Sequence, residues 1–191
     1  QMEVSSVYDG VVNVIIPETI EEDGTVYDVV SIAEGFMINQ TYGTGKDVKK
    51  VVIGNKVKTI KASAFESCYR LDTIVIGSGV EVIENSAFKA CTKMKHFEAP
   101  NTLREIGDLA FSKCSQLKSV VLNDGLVSIG KKAFYDSNAL TGTIEIPSSV
   151  TSVGSLAFST TKISKVVLGS DVAGLGSNCF ADCSALETVE L

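Results

Sequence analysis

Phenylalanine returns along the chain at Phe65, Phe88, Phe111, Phe134, Phe158 and Phe180, at intervals of 23, 23, 23, 24 and 22 residues. Other apolar positions fall into line on the same period. Ala64, Ala87, Ala110, Ala133 and Ala157 stand before the first five rings, and Cys179 before the sixth. Five residues ahead of each ring come Ile60, Ile83, Ile106, Ile129, Val153 and Leu175; three ahead of those come Val57, Val80, Leu103, Leu126, Val150 and Val172. Three residues after the rings lie Cys68, Cys91, Cys114, Ser137, Thr161 and Cys183. Aligned copies at a fixed period are the mark of a repeat architecture.

Each copy also carries a strand pattern: an apolar residue, two others, then two apolar residues flanking one more. It reads Val48/Val51/Ile53, Leu71/Ile74/Ile76, Met94/Phe97/Ala99, Leu117/Val120/Leu122, Leu140/Ile144/Ile146, Ile163/Val166/Leu168 and Leu186/Val189/Leu191, with an earlier copy at Val11/Val14/Ile16. One extra residue after Leu140 predicts a bulge near Gly142. Pro17, Pro100 and Pro147, all the prolines of the chain, fall just after a strand, where other copies place Gly54, Gly77, Asn123 and Gly169. Such residues end strands and turn the chain, so this slot is a corner. The one-face spacing of Ala64, Phe65 and Cys68 predicts about one helical turn per copy. A lone coil leaves its upper and lower faces wet, whereas stacking covers both and lets strands pair in parallel about 4.8 Å apart. The expected fold is a leucine-rich-repeat solenoid of about eight coils, with a parallel β-sheet on one face and short helical turns and loops on the other.

These slots resemble the BspA-like leucine-rich repeats, most clearly at Leu103–Leu122 (LREIGDLAFSKCSQLKSVVL) and Val57–Ile76 (VKTIKASAFESCYRLDTIVI). On this frame the repeats occupy 48–70, 71–93, 94–116, 117–139, 140–162, 163–185 and a partial 186–191, in one continuous domain. Residues 1–47 are expected to form a degenerate N-terminal capping coil, since solenoids need atypical ends. The pattern reaches Leu191 inside a strand, which predicts a packing partner there. The resemblance implies a secreted or cell-surface bacterial protein that acts by binding, in some members as an adhesin. It implies partners among host-matrix or bacterial surface proteins; the absence of aromatics from the outward strand positions makes glycans, which stack on rings, less favoured.

Composition narrows this further. The chain has 191 residues, 45% hydrophobic and 21% charged, which suits a folded domain with a real core. Seventeen Lys and Arg against 23 Asp and Glu leave a net charge of −6, the wrong sign for general nucleic-acid or membrane binding. No apolar run is long enough to span a bilayer, and no signal-peptide pattern opens at Gln1. His96 is the sole histidine, and it shares an outward strand face with Glu98. Its ordinary reading is an exposed polar residue, and no catalytic residues, metal ligands or cofactor are predicted. Glu21, Glu22, Asp23 and Gly24 lack calcium-loop spacing and read as a solvated hairpin-like turn. GTG at Gly43–Gly45 carries no phosphate-loop context, and Asn39–Thr41 matches a glycosylation sequon. Cys68, Cys91 and Cys114 share one inward slot with Ser137 and Thr161, so buried free thiols are expected. Six lysines between Lys46 and Lys61 spread around one coil.

The outward strand positions form two columns. One is Lys50, Thr73, His96, Ser119, Thr143, Lys165 and Thr188; the other is Val52, Val75, Glu98, Val121, Glu145, Val167 and Glu190. Of these, Lys50, Val52, Thr73, Val75, His96, Glu98, Ser119, Val121, Thr143, Glu145, Lys165 and Val167 make up the candidate ligand-binding face. High strand propensity of Val and Thr alone gives the same pattern. The expected function is non-catalytic extracellular recognition or adhesion through this face. The alternative is a structural spacer presenting another domain.

Overall fold

The computed structural model describes residues 2–4, 12–37 and 47–191. Among the described residues seventeen short strands, numbered along the chain, wind into a solenoid with three walls. The first wall carries β2 (Asn13–Ile16), β5 (Lys50–Ile53), β7 (Thr73–Val75), β9 (His96–Glu98), β11 (Ser119–Val121), β13 (Thr141–Ile146), β15 (Lys162–Leu168) and β17 (Thr188–Glu190). The second carries β1 (Met2–Val4), β4 (Thr25–Ile32) and six two-residue strands: β6 (Thr59–Ile60), β8 (Val82–Ile83), β10 (Glu105–Ile106), β12 (Ser128–Ile129), β14 (Ser152–Val153) and β16 (Gly174–Leu175). These six, each marking one regular turn, pair in parallel in an unbroken ladder from β4 to β16. The count is thus about six regular turns plus irregular ends, slightly fewer than the eight expected.

The first described turn is built differently. β3 (Thr19–Glu22) pairs antiparallel with β4, and Glu22 faces Thr25 across Asp23 and Gly24. Both turn residues have positive φ, 49° and 74°. A two-residue loop of this kind matches the twist of its flanking strands, so the acidic segment is the hairpin turn that its composition predicts. β4 then continues past the hairpin and pairs with β6, which joins this turn to the regular stack.

Inside, the phenylalanines stand in one column. Successive ring centroids from Phe65 to Phe158 lie 5.0–5.2 Å apart and nearly parallel; Phe36 meets Phe65 edge-on at 5.8 Å. Rings this close contribute packing beyond their buried area. The bulge predicted near Gly142 is present: the β13–β15 register shifts between Gly142 and Thr143.

The third wall, which holds these rings, is where helical turns are expected, and it contains none. Two residues before and two after each regular ring adopt left-handed backbone, as at Ser63 and Ser67 or Leu109 and Lys113. Alternate amides therefore leave the coil. Ser63, Phe65 and Ser67 donate to the carbonyls of Asn85, Ala87 and Lys89 in the next coil at 2.7–2.9 Å, while Ala64, Glu66 and Cys68 donate back to Lys61, Ser63 and Phe65. A helix would keep all such bonds within one segment. Here half of them become stacking bonds, and the apolar spacing is unchanged.

The residue three after each ring proves to be a donor slot. Cys91 Sγ donates to the Phe65 carbonyl at 3.2 Å, Cys114 Sγ to Phe88 at 3.2 Å, and Ser137 Oγ to Phe111 at 2.9 Å. Thr161 Oγ1 turns instead to Phe158 of its own coil at 2.9 Å. Small side chains with one polar hydrogen are therefore what the site accepts. All five cysteines are unpaired thiols. Burial pushes the Cys114 thiol up to about 12 and raises that of Cys91 as well.

Candidate functional site: the outer strand wall

The twelve residues of the candidate face all lie on the first wall, but that wall is not continuous. It is three separate sheets: β2–β5–β7, β9–β11 and β13–β15–β17. Lys50, Val52, Thr73 and Val75 fall on the first; His96, Glu98, Ser119 and Val121 on the second; Thr143, Glu145, Lys165 and Val167 on the third. Nine are exposed, among them Val75 (47%) and Val121 (55%), while Val52, Lys165 and Val167 are half-buried. His96 Nδ1 lies 2.7 Å from Ser119 Oγ, its neighbour in the adjacent coil. Lys165 Nζ pairs with Glu190 Oε1 at 2.7 Å.

Both breaks coincide with a proline corner. At two of the glycine corners the amide bonds the preceding coil: Gly54 to the Ile16 carbonyl at 2.9 Å, Gly169 to Ile146 at 2.7 Å. Proline has no such hydrogen to give. Pro100 follows β9, and β9 does not pair with β7; Pro147 follows β13, and β13 does not pair with β11. The sequence predicts the corners but not these breaks.

At the first break the side chains widen the gap. Phe97 takes a slot that holds Val51, Ile74 or Val120 elsewhere, and its ring reaches to 4.4 Å from Phe111. Ala99 is too short to cover its neighbours, so Ile74 and Ile76 are left half-buried rather than buried. The result is a cleft of about 560 Å³ lined by Ile74, Val75, Ile76, Glu98, Ala99 and Pro100, with Asn55, Ser78 and Asn101 at its end. Its walls offer apolar side chains and two unpaired strand edges, the elements by which an open sheet takes up an extended segment.

Among the described residues no group of three His, Cys, Asp or Glu could hold a metal ion, and no helix is long and apolar enough to cross a membrane. Glu21 and Glu22 lie along β3. Gly43–Gly45, Asn39–Thr41 and Lys46 lie outside the described residues. Among the described residues the Glu66 carboxylate is shifted: burial works to raise it, but hydrogen bonds from Lys89 and Ser63, with the Lys89 charge, outweigh that and hold it below its ordinary value. That pair supports the stack and is not part of the face.

A ring column, an unbroken second ladder and an exposed, interrupted strand wall define a repeat solenoid with an open face. Its lineage is shown by sequence: the profile of the BspA type leucine rich repeat region matches six copies over residues 38–141 and 116–191. The chain belongs to this family. A leucine-rich cell surface protein from Faecalibacterium prausnitzii shares 25% identity at a TM-score of 0.84, over 98% of this chain and 49% of its own. The T. pallidum leucine-rich repeat protein TpLRR shares 26% at 0.77, over 92% and 78%. The pneumococcal vaccine antigen PcpA, at 20% identity and a TM-score of 0.56 over 96% and 61%, shares the fold. The chain spans about half the length of the F. prausnitzii protein. A search of curated proteins finds no match. Repeats of this family and fold typically serve as non-catalytic binding modules.

Proposed function

We propose that the chain is a bacterial surface recognition module that mediates adhesion to host-matrix or neighbouring-cell proteins through its first wall. One observation carries this reading: the exposed wall is broken beside Glu98, leaving unpaired strand edges above half-buried Ile74 and Ile76. An exposed apolar strip with open backbone is costly in water and is covered favourably by a protein segment. The surface character of the F. prausnitzii relative supports the location. A catalytic role gains no support from an open wall that cannot exclude water from a reaction.

The test is binding of the purified chain to immobilised matrix proteins and to bacterial surface extracts, with Glu98→Lys and Glu145→Lys as probes. Binding that Glu98→Lys weakens more than Glu145→Lys supports the cleft as the contact. Binding indifferent to both, or none to any surface protein, overturns the proposal and leaves the spacer reading.

A further inference from the structure

Charged side chains on this solenoid follow a rule set by its period: a cation in one coil faces a carboxylate about one coil away. Lys58 pairs with Glu81 at 2.7 Å, Arg70 with Asp47 at 2.7 Å and Lys89 with Glu66 at 2.8 Å, each 23 residues apart. At the corner that leads into the first wall, which contains the Arg70–Asp47 pair, two successions depart from the rule. There Lys93 succeeds Arg70, and Lys118 succeeds Lys95, again 23 residues apart, so like charges stand on neighbouring coils. The Lys118 amide donates to the Lys95 carbonyl at 2.8 Å, which fixes those two coils side by side. Like charges placed opposite each other are destabilising. With Lys49, the corner holds five cations against Asp47 and Asp72, leaving +3 on a chain whose total is −6. Lys49, Arg70, Lys93 and Lys95, all exposed, line a cleft of about 340 Å³ together with Asp72 and Gln116.

We infer that this corner binds a linear polyanionic glycan, one bearing sulfate or carboxylate groups along its length. The cations succeed one another along the solenoid axis, which suits many charges on an extended chain rather than a single anion. Most are lysines, point charges on flexible stems that follow charge density without demanding a fixed bidentate geometry. Part of the backbone of the corner is already used: the Lys49 carbonyl accepts from Asp72 and Thr73, and that of Lys95 from Lys118. An acidic peptide therefore finds less open backbone here than at the β7–β9 cleft. For single-stranded nucleic acid the corner lacks a row of rings on which bases could stack; Tyr69, next to Arg70, is its exposed aromatic. Recognition by charge differs from the ring-stacking mode that the strand face lacks, and the site adjoins the protein-binding wall, with Lys95 directly before His96.

The experiment is retention of the chain on immobilised heparin, with affinity measured for heparin, its desulfated form, polyglutamate and single-stranded DNA. The double variant Lys95→Glu/Lys118→Glu is compared with Lys131→Glu/Lys162→Glu, which makes the same charge change elsewhere; circular dichroism checks both folds. Heparin should bind, its desulfated form weakly, and the corner variant should lose about two units of salt slope where the control loses none. Equal loss in both variants, equal binding of polyglutamate or DNA, or no binding to heparin overturns the assignment.

Discussion

Removing one ring from the middle of the column is the sharpest probe of how the stack is held together. Phe111 is fully buried and touches three rings: Phe88 and Phe134, each at 5.2 Å, and Phe97 at 4.4 Å. Truncating a buried phenylalanine to alanine costs about 3–5 kcal/mol. Ring pairs contribute about 0.5–1.5 kcal/mol each beyond buried area, so Phe111→Ala belongs at the upper end, near 5. Phe180 serves as the internal comparison, because it is half-buried and has one ring neighbour, Phe158 at 5.6 Å. Phe180→Ala should cost roughly half as much, about 2 kcal/mol. Urea unfolding followed by circular dichroism separates the two: with a slope of about 2–3 kcal/mol per molar, Phe111→Ala lowers the midpoint by about 2 M. Equal midpoint shifts for the two variants would refute the column as the main cohesive element. So would a cost below about 2 kcal/mol for Phe111→Ala, less than a buried ring can release.

Three further outcomes follow from the same geometry. Pro100→Gly restores an amide facing the Ile76 carbonyl, so hydrogen exchange over residues 97–101 should slow; unchanged exchange would show that Phe97 and Ala99 alone hold the cleft open. Glu66 titrates below its ordinary value of 4.5, so its contribution is complete above the unfolded value and is lost as pH falls through the lowered folded one. Glu66→Gln should therefore cost about 1 kcal/mol at neutral pH, and chemical denaturation should show the gap to the parent closing below about pH 4. Under native conditions a thiol reagent should label the half-buried Cys183 first, while Cys91 and Cys114 react only on unfolding; mass spectrometry of the labelled peptides distinguishes them.

The ring column and the inward strand slots were legible because both recur at a period that chance does not repeat. The third wall was misread for a physical reason. Ala64, Phe65 and Cys68 have the spacing of one helical face, and a solenoid turn buries the same positions. The difference lies in whether an amide bonds a residue three behind it or one 22 ahead, as Phe65 bonds Ala87, and local periodicity is blind to that choice. The second wall escaped notice because strands such as Ile60 with Thr59 are two residues long, too short to show alternation. Alternation alone put the twelve face residues on strands that form the first wall, nine of them exposed. Their division into three sheets was not foreseen, since alternation within a strand says nothing of whether that strand pairs with the next coil.

The two breaks also decide what the wall can do. The ladder from β4 to β16 and the rings from Phe65 to Phe158 run past both interruptions without a gap. Cohesion therefore resides in the second and third walls, and the first is free to carry sequence that would be costly in a load-carrying sheet. Pro100 and Pro147 remove ladder bonds there, Ala99 uncovers Ile74 and Ile76, and lysines crowd the adjoining corner, yet the stack behind them keeps its spacing. This separation makes the functional tests interpretable. Substitutions at Glu98, Lys95 or Lys118 sit outside the ring column and should change binding while the unfolding free energy from urea denaturation stays within about 0.5 kcal/mol of the parent, the usual range for surface positions. A midpoint that falls together with binding would mean that the outer wall supports the fold after all, and that the division of labour among the walls is wrong.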